Sequence, residues 1–111
     1  MKERDLHRLI VGALQFARPG VKWWHTPNEG KRKRRTGRVL RGMGMLPGVA
    51  DFVFVIPPNG RCHALEIKAT DEKPTDDQEE FIDGINKAGG VAVWTDDFDV
   101  AIHYLRSWGV L

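Results

Sequence analysis

The stretch DFVFVIPPNGRCHALEIKAT occupies residues 51–70. Its opening run is rich in apolar β-forming residues, Pro-Pro-Asn-Gly at 57–60 is typical of a turn, and residues 61–69 again suit a strand. Two such runs joined by a short turn predict a β-hairpin. This hairpin decides the fold class, because the shorter elements on both sides must pack against it.

Three ionisable residues interrupt the hairpin. Glu66 and Lys68 are two positions apart, so they share one face of their strand, and Asp51 opens the other strand. Neighbouring strands lie about 4.8 Å apart, so a facing pair brings the carboxylates of Asp51 and Glu66 within reach of one cation. Carboxylates favour Mg²⁺ or Mn²⁺, and a nearby lysine can orient or deprotonate water, or stabilise a pentavalent phosphate. The alternative is a solvated Glu66–Lys68 pair on an exposed strand face.

Before the hairpin, periodicity predicts one helix and one strand. Apolar residues recur at three- and four-residue steps over 3–17, which predicts a helix that Pro19-Gly20 ends. Residues 21–26 suit a short strand, in which Trp23 and Trp24 point to opposite faces, one to the core and the other outward. Residues 27–48 are basic and glycine-rich and predict a long loop with one helical turn near 39–43.

After the hairpin, the pattern predicts helix, strand and helix. Thr75 is a natural N-cap for a helix that ends near residue 88 before two glycines. Residues 91–94 suit an apolar strand and residues 98–108 a closing helix, with Trp94 and Trp108 in the core. The predicted order is therefore α-β-loop-β-β-α-β-α.

Length and composition restrict the class of protein. With 111 residues, 41% hydrophobic and 29% charged, the chain predicts one ordinary globular domain, 1–111. No run approaches the roughly 20 apolar residues of a membrane span, and the N-terminus does not read as a signal peptide. The single cysteine, Cys62, excludes an intramolecular disulfide and a cysteine-rich zinc site, and it suits a reducing cytoplasm.

Charge is segregated along the chain although the net charge is only +2. Residues 18–42 contain nine Lys or Arg and one acid, whereas residues 66–99 contain eleven Asp or Glu and three Lys. The cluster at 31–35 suits phosphate binding, since neutralising phosphates releases counterions. A solvated or disordered loop and a localisation-type basic run remain alternatives.

An ordered set of motifs links these residues to a known family. Pro47-Gly48-Val49-Ala50-Asp51, then Glu66-Ile67-Lys68, then Gln78 resembles the PD-(D/E)XK nuclease superfamily. Residues 25–32, 43–48 and 74–81 narrow the resemblance to the virus-type replication-repair nuclease (VRR-NUC) domain, in its stand-alone phage and bacterial form. The resemblance implies an α/β fold of αβββαβ order, with a mixed central sheet flanked by helices.

The resemblance also implies roles for single residues. Asp51 and Glu66 correspond to metal ligands, and the main-chain carbonyl of Ile67 completes the ligand set. Glu3 corresponds to a helix glutamate that joins the metal site directly or through water. Lys68 corresponds to the catalytic lysine, and Gln78 to a glutamine that positions this lysine or a phosphate. His7 departs from the pattern, which often has glutamine there. The residues expected to face the substrate are Asn28, Lys31, Arg32, Lys33, Arg34, Arg35 and Arg38.

The function implied is a structure-specific DNA endonuclease that depends on Mg²⁺ or Mn²⁺ and leaves a 5′-phosphate. Small stand-alone members resemble Holliday-junction resolvases, and cutting a junction twice needs two active sites, which a homodimer supplies. The expected location is the cytoplasm of a bacterium or a phage-infected host. The alternatives are a nicking or restriction-like endonuclease on other DNA structures and a non-catalytic nucleic-acid-binding module.

Overall fold

The computed structural model describes residues 1–27, 39 and 41–111. Its helices and strands, in chain order, are α1 (Glu3–Leu14), β1 (Lys22–His25), β2 (Phe52–Ile56), β3 (Arg61–Ile67), α2 (Asp76–Lys87), β4 (Val91–Thr95) and α3 (Phe98–Ser107). The αβββαβ order is therefore confirmed, with one further helix at its end. Within these ranges, every helix is too short or too polar to cross a membrane.

The four strands form one mixed sheet in the order β1-β2-β3-β4. The predicted hairpin is present: β2 and β3 pair antiparallel, with Phe52 opposite Leu65. Strand β1 pairs antiparallel with β2, and β4 pairs parallel with β3. The parallel pair needs a crossover, and α2 supplies it.

One face of the sheet carries the main hydrophobic core, and we call it the large-residue face. Helices α1 and α3 cover it, because their apolar stripes recur at helical spacing. The fully or nearly buried side chains of this core are Leu6, Ile10, Leu14, Phe52, Phe54, Ile56, Leu65, Ile67, Ala101, Leu105 and Val110.

The buried part of the opposite face, beneath α2, is lined by alanines, and we call this face the alanine face. Ala50, Ala64 and Ala92 are buried there, and Ala64 lies directly opposite Ala92 across the β3–β4 pair. Residues of α2 pack against these alanines, namely Phe81, Ile82 and Ile85. Methyl side chains let the helix backbone approach the sheet closely.

Four details differ from or refine the sequence expectations. Helix α1 ends at Leu14 rather than at residue 17, and Phe16 beyond it is 83% exposed. Strand β3 ends at Ile67, so Lys68 follows it directly. Trp23 packs against the core while Trp24 is exposed, which confirms their opposite directions. The core assignment of Trp94 is wrong: it is 36% exposed, because its position opposite Glu66 places it on the alanine face.

Candidate metal centre

Three acidic residues from distant parts of the chain meet at one end of the sheet. Asp51 directly precedes β2, and the register that pairs Phe52 with Leu65 sets it against Glu66 in β3. Glu3 begins α1. The carboxylates of Glu3, Asp51 and Glu66 each offer an oxygen within 4.8 Å of the other two. The predicted facing pair is therefore present, with a third acid beside it.

Two of these carboxylates are shielded from water. Asp51 is 4% exposed and Glu66 1% exposed, whereas Glu3 is exposed. Oδ2 of Asp51 accepts a hydrogen bond of 2.9 Å from the amide of Ile67. Oε2 of Glu66 is buried and has no hydrogen-bond donor among the described residues. A buried carboxylate oxygen without a donor is costly, and a bound cation would satisfy it.

The carboxyl groups are also shifted in pKa by their crowding. Burial, followed by the neighbouring Asp51 carboxyl, raises the pKa of Glu66 from 4.5 to about 10. Burial and Asp51 likewise raise the pKa of Glu3, while the charge of Lys68 acts in the opposite sense. Three clustered carboxylates are hard oxygen ligands of the kind that Mg²⁺ and Mn²⁺ prefer. The donor set therefore fits the divalent cation that the sequence predicts.

Lys68 lies within this negative cluster. Its side chain is 8% exposed, and its amide donates a 3.0 Å hydrogen bond to the carbonyl of Thr95, which holds the chain in place just beyond β3. Its charge opposes the rise in pKa of both Glu3 and Glu66, so it acts on the same cluster. Because Glu66 and Lys68 are both buried, a solvated ion pair on an exposed face is excluded.

Gln78 reaches the cluster from the first turn of α2. The predicted N-cap at Thr75 is confirmed as a capping box: Oγ1 of Thr75 accepts from the amide of Gln78 at 3.3 Å, and Oε1 of Gln78 accepts from the amide of Thr75 at 2.9 Å. The remaining amide group of Gln78, Nε2, lies 3.5 Å from Oε1 of Glu66. Gln78 therefore contacts Glu66, one of the three clustered carboxylates.

Two histidines lie next to the cluster, and neither received a role from the sequence. The rings of His7 and His25 meet edge to face, with centroids 4.3 Å apart, and His7 stacks on Phe52. Nδ1 of His25 lies 3.2 Å from the carbonyl oxygen of Asp51, which also accepts from the amide of Thr26 at 2.7 Å. Burial, then the neighbouring His25, lowers the pKa of His7.

The sequence could place only one of these two histidines near the acidic cluster. His7 is four residues after Glu3, so the two share one face of α1. The place of His25 depends on the pairing of β1 with β2, which sets it opposite Phe52. That pairing joins segments far apart in the chain, and no local pattern encodes it.

The residues expected to face the substrate lie outside the described part of the chain. They are Asn28, Lys31, Arg32, Lys33, Arg34, Arg35 and Arg38. Their role in binding nucleic acid stays a prediction. Trp24, just before this segment, is 45% exposed and pairs with Val53 opposite Ala64, so it shares the alanine face.

Comparisons with known proteins agree with the architecture. The chain is similar to a solved structure named "VRR_NUC domain protein", with a TM-score of 0.77 and 18% sequence identity, over 97% of this chain and 88% of the other. No protein-family model matches the sequence. A search of curated proteins also finds no match. The likeness shows a VRR-NUC-like fold.

Proposed function

We propose that the protein is a divalent-metal-dependent endonuclease that hydrolyses phosphodiester bonds in DNA. The observation that carries the proposal is the convergence of Glu3, Asp51 and Glu66, with a buried Glu66 oxygen that has no donor among the described residues. A purely structural cluster would pair that oxygen with a donor. The VRR-NUC-like fold supports the proposal, because the similar solved structure is named "VRR_NUC domain protein".

The acidic residues and Lys68 have different roles in the proposed reaction. Asp51, Glu66 and Glu3 would hold Mg²⁺ or Mn²⁺, together with the main-chain carbonyl of Ile67. When bound, such an ion polarises a phosphoryl oxygen and acidifies water. The ammonium of Lys68 orients the attacking water and offsets the negative charge that develops on the phosphate. Water adds to phosphorus and gives up a proton, the bond to the 3′ oxygen breaks, and that oxygen takes up a proton, so that a 5′-phosphate and a 3′-hydroxyl remain.

The substrate that we propose is branched DNA, above all a four-way junction. The basic cluster at residues 31–35 would bind phosphates and recognise the shape of the junction, with few contacts to bases. Exposed Trp24, on the same sheet face as Glu66, offers a ring on which an unpaired base can stack. A homodimer would bring two active sites to one junction, one for each cut.

The test is cleavage of a substrate panel by the purified protein. A four-way junction, a flap, a splayed arm and a linear duplex are incubated with Mg²⁺, Mn²⁺ or EDTA, and solution mass is measured in parallel. We expect cutting of the junction with either metal, no cutting in EDTA, and the mass of a dimer. Preference for linear duplex would favour a nicking or restriction-like enzyme instead.

Matched variants separate catalysis from binding. Asp51→Asn and Lys68→Ala are expected to abolish cleavage while DNA binding is largely kept. Asp83→Asn and Lys87→Ala make the same changes at exposed positions of α2 and should cleave normally. Full cleavage by Asp51→Asn, or metal-independent cutting, would contradict the proposal. DNA binding without cleavage of any substrate by the wild type would favour a non-catalytic nucleic-acid-binding module.

A further inference from the structure

Two local features fix the first turn of α2, and they thereby set the position of Gln78 beside the acidic cluster. Thr75 and Gln78 form the capping box, and Gly48 lies against the backbone of the same turn. A capping box ordinarily stabilises the start of a helix, and a glycine at positive φ ordinarily forms a turn. Each of them also determines where the side chain of Gln78 points.

The capping box leaves the carboxamide of Gln78 only one useful orientation. Its oxygen, Oε1, is occupied by the amide of Thr75 at 2.9 Å. Its nitrogen, Nε2, is thereby turned toward Oε1 of Glu66, at 3.5 Å. A capping box works with either glutamate or glutamine at this position. Only glutamine can cap the helix and also present an N–H to a carboxylate.

Contact with Nε2 has a consequence for the other oxygen of Glu66. A donor on Oε1 holds the carboxylate in one rotamer, so that Oε2, which has no donor in the described ranges, is available for a cation. Groups that orient a metal ligand in this way typically change metal affinity by about 10- to 100-fold. The capping box therefore acts on the metal site through Gln78.

Gly48 sets how closely the first turn of α2 can approach the segment that precedes β2. A Cβ added at Gly48 would overlap the carbonyl group of Asp77 and lie 2.7 Å from the amide nitrogen of Gln78. The neighbouring atoms are backbone, which cannot rotate away. Gly48 also has a φ of +76°, a region that L side chains rarely adopt. Any side chain there would push the start of α2 away from the segment that carries Asp51.

We propose that Thr75 and Gly48 are positioning residues for the metal site, because together they hold the Gln78 carboxamide against Glu66. The inference rests on the proposed function, since it assigns a purpose to the site that binds the cation. It also identifies what Gln78 contacts: the metal ligand Glu66, in addition to any effect on Lys68 or phosphate.

The capping box is tested with Mn²⁺ as the probe. Thr75→Ala removes the hydroxyl, Thr75→Ser keeps it, and Asp97→Ala removes the equivalent cap of α3, whose side chain accepts from Val100 at 3.0 Å. By calorimetry, we expect Thr75→Ala to weaken Mn²⁺ binding about tenfold and Thr75→Ser to restore it. Asp97→Ala should lower the melting temperature about as much as Thr75→Ala does. Its affinity for Mn²⁺ should stay within about twofold of the wild-type value. Equal Mn²⁺ affinities in Thr75→Ala and Asp97→Ala would overturn the inference.

The close approach is tested with a pair of glycines. Gly48→Ala and Gly44→Ala both place a side chain at positive φ, +76° and +89°, but a Cβ at Gly44 meets nothing within 4 Å among the described residues. The pair therefore separates backbone strain from overlap with α2. We expect only Gly48→Ala to weaken Mn²⁺ binding, and equal binding by the two variants would remove Gly48 from the proposal.

A second readout keeps this inference separate from the proposed function. The chain has two glutamines, Gln15 and Gln78, so their side-chain amide signals are readily assigned by NMR. Thr75→Ala keeps the backbone amide that Oε1 of Gln78 accepts from, but it removes the hydroxyl that holds the Gln78 backbone amide and closes the first turn. In metal-free protein, we therefore expect the Gln78 side-chain signals to move toward free-glutamine values in Thr75→Ala, with Gln15 unchanged. If the wild type binds no Mn²⁺, the proposed function fails, and these signals still decide whether Thr75 positions Gln78. An unchanged Gln78 signal in Thr75→Ala would refute the positioning role.

Discussion

The two faces of the sheet are built from different residues and serve different purposes. The large-residue face buries aromatic and branched side chains against two helices. The alanine face buries three methyl groups against one helix, and the same face continues into Glu66 and Lys68. Apolar burial, and with it the free energy of unfolding, is therefore concentrated on one side. The charged groups are concentrated on the other side, where less apolar area is lost to accommodate them.

Strand β3 shows the division within a single segment. Leu65 and Ile67 point into the large-residue core, and Ala64 and Glu66 point to the alanine face. Since adjacent strand residues alternate between faces, neighbouring substitutions should have unrelated effects. A change on one face should cost stability, and a change on the other should cost metal binding or cleavage.

The largest effect is expected on the large-residue face. Phe54 is fully buried and packs against Phe52 and Trp108. Phe54→Ala should lower the free energy of unfolding by about 3–5 kcal/mol, measured by urea denaturation. That loss is a large part of the 5–15 kcal/mol typical of a domain. A loss below about 1 kcal/mol would show that stability is not concentrated there.

The next effect is stabilisation by metal on the opposite side. At a Mn²⁺ concentration about 100 times its Kd, wild-type protein should gain about 2.7 kcal/mol of stability, because only the folded chain assembles the site. The gain is read as a rise in melting temperature and should vanish in Asp51→Asn. Asp83→Asn, at an exposed position, should gain as much as the wild type. Stabilisation that persists in Asp51→Asn would place the ion elsewhere.

An enlarged side chain on the alanine face should have a smaller effect on stability and a marked one on activity. Ala64 is fully buried beneath α2. Ala64→Leu should cost about 1–3 kcal/mol through overpacking and should reduce cleavage by displacing α2 with Gln78. The exposed Ala88→Leu is the control. Normal cleavage by Ala64→Leu would mean that the helix position is unimportant for the site.

The last effect is a gain in stability that depends on pH. In EDTA, the folded protein keeps Glu66 protonated because its pKa is about 10, whereas the unfolded chain ionises it near 4.5. The wild type therefore loses stability as pH rises above 4.5. Glu66→Gln has no such loss, so it should be more stable than the wild type at pH 8, with a higher melting temperature. The difference should shrink toward pH 5, and a difference that grows as pH falls would contradict it.

The sequence predicts the local features of this fold well. The order of elements, the hairpin and the Thr75 cap all follow from periodicity and turn residues close together in the chain. The Asp51–Glu66 pair was also accessible, because a short turn fixes the hairpin register. Glu3 required the resemblance to a nuclease family, since nothing in the first helix indicates which sheet edge it meets.

What the sequence misses depends on tertiary contacts. Trp94 has an apolar strand around it, yet its exposure is set by the place of α2 on the alanine face. The contact of His25 with Asp51 depends on strand pairing across a long loop. Gly48 reads as half of a Pro-Gly turn, and its contact with α2 becomes visible only in three dimensions.

The alternation along β3 also limits how the gene for this chain can change. A single codon inserted within β3, ahead of Ala64, would turn every later residue of that strand to the opposite face of the sheet. The shift would turn Glu66 and Lys68 toward the hydrophobic core on the large-residue face and bring Leu65 and Ile67 to the alanine face. Folding and chemistry would be lost together, whereas most substitutions damage one or the other. The hairpin is thus far less tolerant of altered length than of altered composition.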